Sequence, residues 1–265
     1  MKSSKVIYHV DSFTKEPFAG NPAGVCIMEE KKDSQWMQKI ASEMNLSETA
    51  FLCEESDGYS IRFFTPTVEV DLCGHASLAS SHILWEQGLV NSDHLVLQTR
   101  DQVLTIHKEN ELICMSFPAM HTEMVSKREL FSSVLGCEVL EVAQGKEETL
   151  VLVEHENVLK SIRPNRELII RNTRHGLIVT CPSSNQEFDF VSRYFAPNVG
   201  IDEDPVTGVA HCVLTPYWAK KTGKTSFRAL QASHRPGSME TQLLENRVLL
   251  KGYATTVMIC TLVDQ

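Results

Sequence analysis

The sequence lacks a long apolar segment and any extended run of basic residues. No apolar stretch approaches the roughly 20 residues that a membrane-spanning helix needs, and hydrophobic residues make up 42% of the 265 residues. The formal net charge of −9 argues against a nucleic-acid partner, because that kind of binding depends on clustered Lys and Arg. We therefore predict no membrane role and no nucleic-acid role.

The chain also lacks closely spaced cysteines. Its eight cysteines are scattered without a single Cys-x-x-Cys pair. A structural zinc site needs thiolates and imidazoles at close, repeated spacing, so we predict no metal. The first 13 residues include lysines but no apolar segment of the kind found in secretory signals. We therefore expect a cytoplasmic protein whose cysteines are reduced.

What the sequence does contain is a ten-residue segment that occurs twice. Residues 62–71 read RFFTPTVEVD, and 131 positions later residues 193–202 read RYFAPNVGID, with five of the ten positions identical. Each copy leads through a glycine-bearing turn into a stretch of small and apolar residues, which is typical of a buried helix. The repeat predicts two equivalent lobes, and its register places Cys73 opposite Asp204.

The rest of the pattern predicts mostly strands in both halves. We predict an α+β fold of two pseudo-symmetric lobes, each a mostly antiparallel, barrel-like sheet wrapped around one central helix. The polar segment that follows Pro118 is the best candidate linker. The predicted lobes are residues 1–118 and 119–265, with a terminal strand free to cross between them.

The two predicted helices suggest where chemistry could occur. Both begin where a repeated segment ends, so by symmetry their N-termini should face each other across a cleft. Unpaired backbone N–H groups and a partial positive charge would favour an anion there, such as a substrate carboxylate. Gly74 and Gly208 would allow the backbone to approach a ligand closely.

Four ionisable side chains near these positions each have two interpretations. Asp204 is a helix cap or a substrate ligand, and His75 is a structural residue or part of a site. Cys73 is an inert buried thiol or a thiol activated by the helix N-terminus. Glu48 is a solvated turn carboxylate or an inward-pointing base whose pKa burial would raise.

Four segments taken together resemble the PhzF (phenazine biosynthesis-like) family. They are DSFTKEPFAGNPAGV, NLSETAF, RFFTPTVEVDLCGHASLAS and RYFAPNVGIDEDPVTGVAH, and they occur in the family's order across nearly the whole chain. The resemblance implies the diaminopimelate-epimerase-like fold and an isomerase that works without cofactor or metal.

The resemblance also implies roles for individual residues. Glu48, in the SET motif, would be the general acid/base that moves a proton between carbons. His75, in CGHA, and Asp204, in DPxTG, would bind and orient the substrate. The four segments also contain the remaining candidate substrate-binding residues. These are Asn21, Ser47, Gly74, Ser77, Thr207 and Gly208.

The motifs depart from the family pattern at two positions. The family's CGHAT and DPxTGSA read CGHAS and DPVTGVA here, so Ser77 keeps a hydroxyl whereas Val209 removes one.

The expected partner is a small anionic substrate, with a homodimer as the assembly to test. Two alternatives stay open: an amino-acid epimerase that uses Cys73, and a non-catalytic small-molecule binding protein. Cys212 lies too far along its helix to supply a second catalytic thiol.

Overall fold

The computed structural model describes residues 6–263 as a mixture of strands and helices. The strands, in chain order, are β1 (Val6–Ser12), β2 (Asn21–Met28), β3 (Glu48–Glu55), β4 (Gly58–Phe64), β5 (Glu69–Val70), β6 (His94–Gln98), β7 (Val103–Glu109), β8 (Leu112–Pro118), β9 (Glu123–Met124), β10 (Glu141–Gln144), β11 (Thr149–Leu152), β12 (Leu177–Pro182), β13 (Phe190–Ala196), β14 (Ile201–Asp204), β15 (Ser226–Gln231), β16 (Gly237–Leu244), β17 (Arg247–Gly252) and β18 (Ala254–Thr261). The helices are α1 (Ser34–Met44), α2 (Gly74–Glu86), α3 (Arg128–Leu135), α4 (Glu156–Ser161), α5 (Arg166–Asn172) and α6 (Gly208–Thr222). Within residues 6–263, no helix is long and apolar enough to cross a membrane.

The chain divides into two compact units. The first contains the described residues up to Ser116 and those from Lys251 onward, and the second runs from Phe117 to Leu250. The C-terminal strand β18 belongs to the first unit because it pairs antiparallel with β1. The second unit therefore ends at Leu250, whereas the sequence-based division extended its lobe to residue 265 and left a crossing strand as an option.

The two units share one strand topology. In the first, β2 is antiparallel to β1 and parallel to β3, and β4 is antiparallel to β3 and β5 and parallel to β6. In the second, β10 to β15 take the places of β1 to β6. Strand β11 is antiparallel to β10 and parallel to β12, and β13 is antiparallel to β12 and β14 and parallel to β15. The parallel pairs occur where a helix connects the strands, as geometry requires. The prediction of two equivalent α+β lobes is confirmed.

Each unit contains one helix that is buried on nearly every side. Helix α2 contacts β1, β2, β3 and β18, and α6 is buried without interruption from Ala210 to Trp218. Small and apolar side chains allow the surrounding strands to approach from all directions, which is why neither helix has a polar face. The prediction of two buried helices that follow the repeated segments is confirmed.

Polar side chains inside these helices bond to the helices' own carbonyl groups. In α2, Ser77 Oγ donates to the carbonyl of Cys73 at 2.7 Å, and Ser81 Oγ donates to that of Ser77 at 2.8 Å. In α6, His211 Nδ1 lies 2.8 Å from the carbonyl of Thr207, and Thr215 Oγ1 donates to that of His211 at 2.7 Å. Buried polar groups need such partners, and these four side chains find one within their own helix.

The repeated segments diverge in register at the turn before each helix. Phe63 of β4 pairs with Val70 of β5, whereas Tyr194 of β13 pairs with Asp204 of β14. A 3₁₀ turn at Pro197–Val199 and a register shift in the second pair accommodate the extra residues. The difference in residue number between equivalent positions of the two units grows from 131 in the strands to 134 at the helix N-caps, which are Cys73 and Thr207. The prediction that Cys73 corresponds to Asp204 was therefore wrong, and its counterpart is Thr207.

An arginine–glutamate pair holds this turn in both units. Arg62 forms two parallel bonds of 2.7 Å with Glu69, and Arg193 forms bonds of 2.7 and 2.8 Å with Glu203. The first arginine side chain is 35% exposed and the second 8% exposed. Arg193 also donates to the carbonyls of Leu159 and Ile162, each at 3.0 Å, so it satisfies the end of α4.

The matched arginines should differ in their contribution to stability. Arg193→Met leaves the Glu203 carboxylate and two carbonyl groups without their donor, and we expect it to lower the free energy of unfolding by roughly 3–5 kcal/mol. Arg62→Met removes a more exposed pair and should cost about 1 kcal/mol or less. Urea unfolding of both variants and the wild type measures the difference. Equal losses in the two variants would contradict this account.

Candidate active site

Glu48 is the first residue of β3 and points into the protein. Helix α1 is capped at its C-terminal end by Asn45, whose positive φ of 49° turns the chain towards β3. The carboxylate side chain is 13% exposed, and β3 lies parallel to β2 with Ala23 opposite Glu48. The interpretation of Glu48 as a solvated turn residue is therefore wrong, because the start of a buried strand fixes its direction.

The start of α2 brings two further groups to this carboxylate. Cys73 is the N-cap residue of the helix, and His75 lies in its first turn. His75 Nε2 lies 3.1 Å from Glu48 Oε2, and its Nδ1 lies 3.4 Å from Cys73 Sγ. The backbone of His75 is held from β1, because Ser12 Oγ donates to the His75 carbonyl at 2.8 Å. Glu48, Cys73 and His75 therefore form one cluster.

The contact between Glu48 and His75 is primarily electrostatic. Oε2 of Glu48 is shielded from solvent, yet it makes no aligned hydrogen bond despite its 3.1 Å distance to Nε2. The space beside Gly74 is open, since a Cβ atom added there would meet nothing within 4 Å. The Glu48–His75 contact is therefore an ion pair rather than an aligned hydrogen bond, and the backbone at the start of α2 is open beside Gly74.

Burial and charge compete in setting the pKa values of this cluster. Burial raises the pKa of Glu48, but the charge of His75 and the contacts from His75 and Cys73 lower it to below its ordinary value of 4.5. Burial lowers the pKa of His75, but Cys73 and Glu48 raise it well above 6.5. Burial and the Glu48 charge raise the pKa of the Cys73 thiol. These directions favour the ionised Glu48 carboxylate, the protonated His75 imidazolium and the neutral Cys73 thiol.

The direction of the Glu48 pKa shift differs from the sequence-based expectation. The pKa shifts of Glu48 and His75 together give the stability of the fold a defined pH dependence. An inward-pointing Glu48 was expected to have a raised pKa, but the ion pair outweighs burial. Because its pKa is lowered, ionised Glu48 stabilises the fold at pH values above 4.5. This contribution is lost as the pH falls through the lowered pKa. Because its pKa is raised, protonated His75 stabilises the fold at pH values below 6.5. This contribution is lost as the pH rises through the raised pKa. The ion pair should therefore stabilise the fold throughout the interval from 4.5 to 6.5.

The other candidates of the first unit lie around this cluster. Ser47 Oγ donates to Asn21 Oδ1 at 3.3 Å, and this contact joins the residue before Glu48 to the start of β2. Ser77 is fully buried, and its hydroxyl donates to the Cys73 carbonyl. In this structure Ser77 stabilises the helix start. Its assignment to substrate binding stays a prediction, as do those of Asn21 and Ser47.

The candidates of the second unit form their own cluster. Thr207, the N-cap of α6, donates its hydroxyl to the Asp204 carboxylate. Gly208 begins the helix, and an added Cβ there would touch only Leu250, at 3.5 Å. Val209 occupies the helix position that His75 has in α2, and it is 39% exposed. Thus Thr207 and Val209 stand where the first unit has Cys73 and His75, and the carboxylate of the second cluster comes from Asp204 at the end of β14.

Sequence reasoning missed Gln231, which organises this second cluster. Its Nε2 donates to the Asp204 carbonyl at 2.8 Å and to Thr207 Oγ1 at 3.1 Å, and its Oε1 accepts from the Thr207 amide at 2.9 Å. Gln231 is 1% exposed and follows Phe227 and Ala229 on the buried face of β15. A polar residue at an inward position of an alternating strand was the signal that could have identified it. The predicted cleft shared by the two clusters stays a prediction.

The His75 ion pair can be tested by titrating Glu48 directly. In His75→Asn the opposing charge disappears while burial remains, so the pKa of Glu48 should rise from below 4.5 to above it. Carboxyl-¹³C NMR of glutamate-labelled protein, assigned with Glu48→Gln, measures the change. His107→Asn is the matched control, because it removes the histidine that contacts Glu109 and should leave Glu48 unchanged. An unaltered Glu48 titration in His75→Asn would show that the pair does not set its protonation.

Comparison with known proteins places the chain in a family. The model of the phenazine biosynthesis-like protein family matches residues 10–260. An uncharacterised isomerase of Halalkalibacterium halodurans is 47% identical over 255 residues, which cover 95% of this chain and 96% of that protein.

Solved structures agree with this assignment. The crystal structure of a PhzF-family protein of Enterococcus faecalis superposes with a TM-score of 0.94 at 35% identity, covering 98% of this chain and 99% of that one. A predicted epimerase of Pseudomonas aeruginosa shares the fold, with a TM-score of 0.77 at 17% identity over 99% of this chain and 100% of that one. The chain therefore belongs to the phenazine biosynthesis-like family, and it is an isomerase.

Proposed function

We propose that this isomerase moves a hydrogen, and with it a double bond, within a small carboxylate-bearing molecule, and that Glu48 is the general acid/base. The observation that carries the proposal is the shielded Glu48 carboxylate, whose Oε2 lies 3.1 Å from His75 Nε2 at the start of α2. A base must be deprotonated before it can accept a proton, and the ion pair keeps Glu48 in that form.

The arrangement also accounts for charge during the transfer. When Glu48 takes a proton from a substrate carbon, its own charge disappears and a negative charge develops on the substrate. The His75 imidazolium, no longer neutralised by Glu48, then stabilises that new charge at the same location. Glu48 then gives a proton to a different carbon, and the protonated carboxyl group can exchange with solvent before it does so.

The lowered pKa of Glu48 makes it a weak base in the free enzyme. We infer that the substrate corrects this, because a bound carboxylate would compete for the charge of His75 and so raise the pKa of Glu48. The first turn of α2 offers backbone N–H donors and a partial positive charge for that carboxylate. Substrate binding and activation of the base would then be a single event.

The proposed function also gives roles to the candidate residues of the second unit. We assign Asp204, Thr207 and Gly208 to substrate binding, with Gln231 as the residue that positions the first two. The expected absence of a cofactor remains part of the proposal.

The epimerase alternative requires two acid/base groups of the thiol type. Cys73 has a raised pKa, because burial and the neighbouring Glu48 disfavour its thiolate. The position equivalent to Cys73 in the second unit is Thr207, and Cys212 is buried further along the same helix. These observations favour a carboxylate mechanism over a two-thiol mechanism. The family membership of the chain likewise favours an enzyme over a binding protein without turnover.

Replacement of the two rival bases separates the mechanisms. Glu48→Gln keeps the shape of the side chain but removes the basic carboxylate, and it should reduce turnover by about 10²- to 10⁴-fold, or roughly 2.7 to 5.4 kcal/mol of barrier. Cys73→Ala should lose far less. The assay is deuterium uptake from D₂O into a panel of small carboxylic acids, followed by ¹H NMR and mass spectrometry, with thermal melts to verify folding. An inactive Cys73→Ala beside an active Glu48→Gln would establish the epimerase mechanism instead.

A further inference from the structure

The Glu48, Cys73 and His75 cluster combines the three types of donor that transition metals prefer in proteins. Its carboxylate oxygen, thiol sulfur and imidazole nitrogen all lie within 4.8 Å of one another. Nε2 of His75 lies 3.1 Å from Glu48 Oε2 and 3.9 Å from Cys73 Sγ. Zinc binds oxygen, nitrogen and sulfur donors of these types, usually in tetrahedral geometry.

The spacing of the donor atoms fits a single ion. Zinc bonds of roughly 2.0 to 2.3 Å in tetrahedral geometry separate neighbouring ligand atoms by about 3.3 to 3.6 Å. The measured separations of 3.1 and 3.9 Å lie on either side of that interval. Small side-chain rotations would therefore bring the donors to bonding distance without moving the backbone.

Two independent observations indicate room for an additional ligand at this cluster. Oε2 of Glu48 is shielded from solvent and faces His75 Nε2 at 3.1 Å without the alignment of a hydrogen bond, so its lone pairs can also serve a cation. A Cβ atom added at Gly74, between Cys73 and His75, would meet nothing within 4 Å, so the backbone between these two donors leaves space for an added ligand.

A second group of similar composition lacks these features. His107, Glu109 and Cys114 also lie close together. However, Lys251 Nζ lies 2.5 Å from the Oε2 atom of Glu109 and neutralises it, and Cys114 is completely buried. A cation there would have to displace an ammonium group, so Cys114 provides a matched control.

We propose that Glu48, Cys73 and His75 form a binding site for a divalent transition-metal cation of the zinc type. A bound ion would occupy the carboxylate and thereby block isomerisation. The blocking effect rests on the proposed function, whereas the binding of the metal does not.

The proton balance of the binding step is simple. The cation replaces the thiol proton of Cys73 and the imidazolium proton of His75, and both protons go to the buffer. Before binding, the carboxylate and the imidazolium cancel; afterwards, the doubly charged cation cancels the carboxylate and the thiolate. The net charge of this buried cluster is therefore unchanged, which avoids the cost of burying an unpaired charge.

Cobalt(II) provides a direct readout, because a thiolate ligand to Co²⁺ gives an intense near-ultraviolet charge-transfer band. Purified protein without a histidine tag is titrated with CoCl₂ and then with ZnCl₂. We expect one Co²⁺ per chain with this band, and its loss when Zn²⁺ displaces the cobalt. Cys73→Ser should abolish the band, and Cys114→Ser should retain it. Glu48→Gln and His75→Asn should each weaken metal affinity by at least the roughly 10–100-fold that loss of a supporting group costs.

Each possible result either supports the proposed metal site or overturns it. Retention of the band in Cys73→Ser, its loss in Cys114→Ser, or no band in the wild type at millimolar Co²⁺ would overturn it. Far-UV circular dichroism verifies that each variant is folded, and Glu48→Gln serves as the deciding variant should Cys73→Ser fail to fold. If Zn²⁺ binds at Cys73 without slowing deuterium exchange, the metal site stands and the assignment of Glu48 as the base fails.

Discussion

A helix that is buried on every side has unpaired backbone donors only in its first turn. The strands that surround α2 and α6 cover their flanks, and Ser77, Ser81, His211 and Thr215 satisfy carbonyl groups within the helices themselves. The residues at each helix start are therefore the ones that remain available to a ligand. Both candidate clusters lie at such a start, so the constraint that shapes the core also determines where chemistry can occur.

The two units preserve this scaffold but differ in what they place on it. The strand order, the arginine–glutamate pair at the turn and the internal bonds of the helices recur in both. The helix start has Cys73 and His75 in one unit and Thr207 and Val209 in the other. A scaffold residue must fit many neighbours at once, whereas a residue at the open end of a helix has fewer, so it can change with less effect on stability.

The Glu48–His75 pair illustrates how one contact can decide between opposite chemical outcomes. Burial alone would raise the pKa of the Glu48 carboxyl group and favour its protonated form. His75 reverses this, since its charge lies only 3.1 Å away in a region shielded from water. The same proximity brings the Cys73 thiol into contact, and it creates the set of donor atoms that suits a metal ion.

The sequence by itself determined the features that depend on local pattern. The repeat at residues 62–71 and 193–202, the helices that follow it and the identity of Glu48 and His75 as candidates were all readable from residue order, because periodicity and motifs are local properties. The three-residue change in register was not readable, because a 3₁₀ turn absorbs the additional residues. Only the tertiary structure decided the protonation of Glu48 and the role of Gln231. Both depend on groups far apart in the chain, 48 with 75 and 204 with 231, and no spacing in the sequence specifies which of them meet.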